Sequence, residues 1–117
     1  MDFKLTEKGL SNSSGELYEY LRNGLLNEIR ISSITGVSEY TILDISEECI
    51  QFRSLTRNSG KIEKISKEDF ITVTNFLKKD VKFNTSSAKG YFAGTRIYKK
   101  RSPFFSILIA GNIIEKY

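Results

Sequence analysis

The chain has 117 residues, 39% hydrophobic and 27% charged, with one proline and one cysteine; that is one domain of ordinary size with a single core, and it excludes a disordered chain or a disulfide scaffold. It contains no histidine, which removes serine and cysteine triads, histidine-containing zinc sites and histidine proton shuttles, while the lone thiol, Cys49, excludes a thiolate zinc site. The net charge of +4 conceals a polarity: residues 1–48 hold four Lys/Arg against nine Asp/Glu, a balance of −5, and residues 49–117 hold fourteen against five, a balance of +9.

Met1 to Leu10, with Asp2, Lys4, Glu7 and Lys8, lacks the apolar region of a secretory signal and the arginine-rich pattern of a transit peptide, so a cytoplasmic protein is expected. Ser13 and Glu16 have the three-residue spacing of a capping box. The helix they open is expected at 14–26, with Leu17, Tyr20, Leu21 and Leu25 at helical spacing and Asn23-Gly24 or Asn27 as its stop. Ile29 and Ile31 then alternate with Arg30 and Ser32, Gly36 turns the chain, and Tyr40 and Ile42 alternate with Thr41 before Leu43-Asp44-Ile45 shift phase. This reads as strand, turn, strand, with a bulge where the alternation slips.

Ile50, Phe52 and Leu55 carry a third strand with Gln51 and Arg53 on its opposite face, and Arg57-Asn58-Ser59-Gly60 is a turn, because Asn and Gly accept positive φ. Lys61 to Ile65 returns as a fourth strand. Ser66 caps a helix at 67–79, with Asp69 at the capping-box position, Phe70, Val73, Phe76 and Leu77 as its apolar stripe, and Lys78 and Lys79 complementing the dipole of its last turn. Past the polar stretch Asn84 to Gly90, Ser102 is an N-cap and Pro103 a first-turn residue of a closing helix at 103–110, whose Phe105, Leu108 and Ile109 belong to the expected core. The apolar run 104–110 is broken by Ser106 and too short to span a bilayer, so no membrane partner is expected. Gly111-Asn112 ends that helix, leaving Ile113 to Tyr117 as a short tail or strand.

The order of elements gives one α+β domain over residues 1–117, acidic in 1–48 and basic in 49–117, with an antiparallel sheet of three to four strands drawn from 28–65 and about three helices. The charged hairpin ending in Arg57-Asn58-Ser59-Gly60, the capped helix with Phe70 and Leu77, the basic loop, and the closing helix opening Arg-Ser-Pro-Phe-Phe (101–105) resemble, in layout over residues 39–114, small helix-turn-helix-like accessory modules of bacterial DNA-processing and restriction proteins. The resemblance implies a DNA-contacting or partner-docking module without chemistry of its own.

From Val81 to Ile114 no acid occurs, while Lys82, Lys89, Arg96, Lys99, Lys100 and Arg101 interleave with aromatic residues including Tyr91 and Tyr98. Cations neutralise phosphates and aromatic faces stack on bases, so nucleic acid, DNA favoured, is the expected partner. The triplet Lys99-Lys100-Arg101 precedes the helix N-terminus at Ser102, whose free N–H groups attract an anion. The competing reading is a protein-interaction module, or a homo-oligomer in which the −5 part of one copy meets the +9 part of another.

Neither an activity nor a cofactor is expected. Asp80-Val81-Lys82 supplies the acid-x-lysine fragment of a metal-dependent nuclease, with Asp44 or Asp69 as a second acid, yet Asp2-Phe3-Lys4 matches the same fragment. Glu47 and Glu48, adjacent on a strand or turn, point apart and make a poor acid/base pair. Gly90 and Gly94 lack the lysine and hydroxyl of a phosphate-binding loop and read as a mobile turn. Cys49 reads as a strand residue, with only Arg53 nearby to favour a thiolate.

Overall fold

The computed structural model describes residues 1–25 and 29–117. Strand β1 (Phe3–Leu5) is followed by helices α1 (Glu7–Ser11) and α2 (Ser14–Gly24), strands β2 (Ile29–Ser32), β3 (Glu39–Ile45), β4 (Cys49–Arg53) and β5 (Glu63–Ser66), helices α3 (Lys67–Leu77), α4 (Lys89–Phe92) and α5 (Arg101–Ala110), and strand β6 (Ile114–Lys116). Strands β2 to β5 form an antiparallel sheet in chain order, and β1 pairs antiparallel with β6 in a separate ribbon. The fold is α+β, with two more helices than expected, and of the alternatives tail or strand for the C-terminal residues it is the strand, β6, that forms.

Local chemistry sets most boundaries. Ser13 accepts from the Glu16 amide at 3.1 Å while the Glu16 carboxylate accepts from the Ser13 amide at 2.9 Å, a complete capping box that pulls the exposed Glu16 carboxyl below its ordinary pKa because the amide bond favours the anion. Residue 26, the expected end of that helix, and Asn27 lie outside the described residues. The register of β3 on β4 slips between Ile42 and Asp44, which lets Ile45 return to the core side opposite Ile50 despite the broken alternation. Gly60 takes φ +77° in the turn before β5, with Asn58 and Ser59 also left-handed.

The sheet's inner face, including Ile31, Tyr40, Ile42, Ile50, Phe52 and Ile65, is buried. The helices cover it, with α5 central: Pro103 through Leu108 are all buried, which is why its sequence is apolar nearly all round. Phe104 meets Phe70 and Phe92 at centroid distances of 5.6 and 5.4 Å, and Phe105 meets Phe3 and Phe83 at 5.8 and 5.7 Å. All but the tilted Phe70–Phe104 pair are edge-to-face, and such pairs each add about 1 kcal/mol beyond the area they bury. The ribbon closes over the far end, where Gly9 is required: a Cβ there would lie 2.5 Å from the Ile113 carbonyl oxygen, which accepts from the Thr6 amide at 2.9 Å.

Several expectations are corrected. In α2 the buried tyrosine is Tyr18, whose hydroxyl donates to the Ser46 carbonyl at 2.6 Å, whereas Tyr20 is exposed. Leu55 lies past β4 and is exposed, and Ile109 and Phe76 sit at the rims of their helices, 39% and 37% exposed. Lys78 donates to the Gly9 and Asn12 carbonyls at the end of α1 rather than to its own helix. Ser102 does not cap α5: the helix starts at Arg101, Lys100 occupies the cap position without a side-chain cap, and Ser102 is an exposed residue of the first turn. Among the described residues no helix is long and apolar enough to cross a membrane.

Candidate nucleic-acid interface

The acid-free stretch is distributed over four places. Lys82 lies at the ribbon, its Nζ 3.9 Å from the Asp2 carboxylate and 5.3 Å from the Tyr117 ring centroid. Lys89 and Tyr91 belong to α4, against α3. One face of the Tyr91 ring is covered by Phe76 at 5.1 Å and its hydroxyl donates to Asp80 at 2.7 Å, a bond that favours the neutral phenol and raises its pKa. Arg96 lies at the N-terminus of α3, where its amide donates to the Asp69 carboxylate at 3.3 Å. Ser66 caps that helix through the Asp69 amide at 3.0 Å, but the Asp69 carboxylate turns to Arg96 instead of completing a capping box.

The fourth place is a cluster. Tyr98–Lys100 form a 3-10 turn that runs directly into α5. Two bonds lay this turn along the sheet's edge: the Arg57 guanidinium donates to the Lys99 carbonyl at 2.7 Å, and Lys100 Nζ donates to the Lys64 carbonyl at 3.0 Å. Arg57 and Lys64, from the β4–β5 hairpin, thereby join Lys99, Lys100 and Arg101. The Arg101 guanidinium lies 4.7 Å from the centroid of the Tyr98 ring, and its Nη1 is buried without an acceptor. Tyr98 is 42% exposed, so the aromatic platform is at the surface while Arg101 is half-buried against it.

Of the five cations, Arg57 alone has an acid partner among the described residues, the buried Glu63. Among the described residues, Glu19 and Glu47 of the acidic first third pair with Arg22 at 3.4 and 3.5 Å, and Glu19 also with Lys67 at 3.8 Å; no ion pair reaches Lys64, Lys99, Lys100 or Arg101. Glu63, the acid nearest in sequence to the hairpin cations, is only 7% exposed and is held by Arg57. That burial is why charge counting passed over the hairpin: Glu63 reads as a surface acid in the sequence and is an interior one in the fold.

The cluster offers cations and hydrogen-bond donors. Asp80 accepts from Tyr91 and Lys82 faces Asp2, so the two ends of the acid-x-lysine fragment have separate partners, and among the described residues no group of three His, Cys, Asp or Glu is placed to hold a metal. Gly90 lies inside α4 and Gly94, at φ +83°, follows it in a turn. Cys49 is a half-buried residue of β4. No family model, curated protein or solved structure matches this chain.

Proposed function

We propose that this protein is a non-catalytic nucleic-acid-binding module that holds DNA by its phosphates. One observation carries the reading: the 98–101 turn is bonded onto the β4–β5 hairpin, so that Arg57, Lys64, Lys99, Lys100 and Arg101 converge from distant parts of the chain, and among the described residues only Arg57 of the five is ion-paired. Like charges gathered on one surface raise the local potential, and a polyanion relieves it. Tyr98 adds an exposed ring. A cytoplasmic setting and the helix-turn-helix-like accessory role belong to the same proposal. Head-to-tail self-association is the weaker reading, because Glu19 and Glu47 already pair with Arg22 and Lys67 of the same chain.

The test is an equilibrium titration of a short labelled duplex at several salt concentrations, with light scattering of the protein alone as the control for self-association. With three to five phosphates neutralised, log K should fall against log salt with a slope of about −3 to −4.5. Absence of binding at high micromolar protein in low salt would overturn the proposal.

A further inference from the structure

We infer that the open face of the four-stranded sheet carries a groove for one unstacked nucleotide of a DNA single strand, which rests on the nucleic-acid reading above and extends it across β5. The register places Arg30 of β2 opposite Thr41 of β3 and Thr41 opposite Arg53 of β4. Ile31, Tyr40, Ile42 and Phe52, their neighbours in sequence, face the core, so these three side chains share the opposite, uncovered face. Directly opposed residues have Cβ atoms about 5 Å apart, so the two arginine stems flank Thr41 with roughly 10 Å between them. Both arginines are exposed, and among the described residues neither has an ion-pair partner.

The groove around them has a volume of about 430 Å³, the scale of a small-ligand site. Its lining divides by chemistry as a nucleotide does. Arg30 and Arg53 present two guanidinium forks to an oxyanion. Val37 and Leu55, from the loops at either side, are 87% and 84% exposed and form apolar lips that fit a base plane. Glu39 lines the same groove; next to two cations a carboxylate works against a bare phosphate, but it is the acceptor that an exocyclic amino group of cytosine or adenine needs.

Apolar lips, an amino-group acceptor and paired guanidinium groups suit a base with its phosphate, and only an unstacked base reaches between the lips. Lys64 lies on the same face, since its neighbours Glu63 and Ile65 are buried on the other, and its carbonyl receives Lys100. Lys64 therefore joins the groove to the basic cluster, and a single strand lying on the cluster continues over β5 toward Arg53.

The experiment compares oligo(dC) and a short duplex on the wild-type chain, on Arg30→Gln/Arg53→Gln and on Lys64→Ala/Lys99→Ala. The arginine pair is exposed, so its loss leaves the core intact. Oligo(dC) affinity should fall by about tenfold or more in the Arg30→Gln/Arg53→Gln variant while duplex affinity changes by less than about twofold. In the Lys64→Ala/Lys99→Ala variant both should weaken. Amide shifts on adding oligo(dC) separate the two readings: shifts at Thr41, Arg53 and Leu55 together with 98–101 support the groove. Shifts confined to 98–101, or equal loss of both ligands in the arginine variant, overturn the groove alone. Shifts confined to the groove overturn the cluster, and a chain that binds neither DNA overturns both.

Discussion

Arg57 binds Glu63 through Nε, at 3.0 and 2.9 Å from the two carboxylate oxygens, while its Nη2 donates to the Lys99 carbonyl at 2.7 Å. One side chain thus neutralises an acid that is 7% exposed and anchors the basic turn to the sheet. Arg57→Ala should cost about 3 kcal/mol of stability, since it strands a carboxylate away from water. Arg57→Ala/Glu63→Gln should recover part of that loss, yet both variants should bind DNA more weakly because Lys99 is no longer held. Urea unfolding and DNA titration on the same samples check the two halves of this expectation.

The six cations of residues 82–101 are not equivalent in the fold. Lys99 faces solvent with its carbonyl fixed by Arg57, whereas Lys82 lies against Asp2 and the Tyr117 ring. Lys99→Ala should make the salt slope shallower by about 0.9, one phosphate contact, and Lys82→Ala should leave it unchanged. Equal effects of the two substitutions would return the site to the whole acid-free stretch.

Gly9→Ala adds a methyl that would lie 2.5 Å from the Ile113 carbonyl oxygen and 3.0 Å from Leu5 Cδ2. The backbone carbonyl cannot move aside without straining its bond from the Thr6 amide, so a loss of about 2 kcal/mol is expected. Thermal unfolding reads it directly. Gly15→Ala, inside α2 and with nothing within 4 Å of the added carbon, is the clash-free comparison and should gain up to about 1 kcal/mol from helix propensity.

Burial raises the Tyr18 phenol well above its ordinary pKa of 10.0, and Tyr40 moves in the same direction for the same reason. The folded state therefore favours the neutral phenols. Their contribution is complete below pH 10 and is lost as pH rises through the folded values, by at most about 1.4 kcal/mol per pH unit for each tyrosine. Tyr18→Phe removes the hydrogen bond to Ser46, costing about 1 kcal/mol at neutral pH, and should flatten the decline above pH 10. Unfolding free energies measured from pH 8 to 11.5 test both signs.

What the sequence determined by itself lies within a few residues of its cause. Ser13 with Glu16 starts a helix, Ser66 starts another, Gly60 turns a hairpin and the phase slip at Leu43 makes a bulge, because caps, turns and alternation act through bonds between near neighbours. The α+β class followed from the order of those signals. The tertiary structure decided what depends on distant partners. Phe3–Leu5 is a three-residue strand too short to declare itself, and Ile114–Lys116 is legible in the sequence only as tail or strand; both exist through pairing with each other across the length of the chain. Whether Glu63 counts as a surface acid depends on Arg57 and burial, and whether Lys64 joins Lys99 and Lys100 depends on two hydrogen bonds spanning 42 and 36 residues. Charge is a property of composition, but potential is a property of placement, so the sequence announced a basic half and only the fold assembled it into a surface.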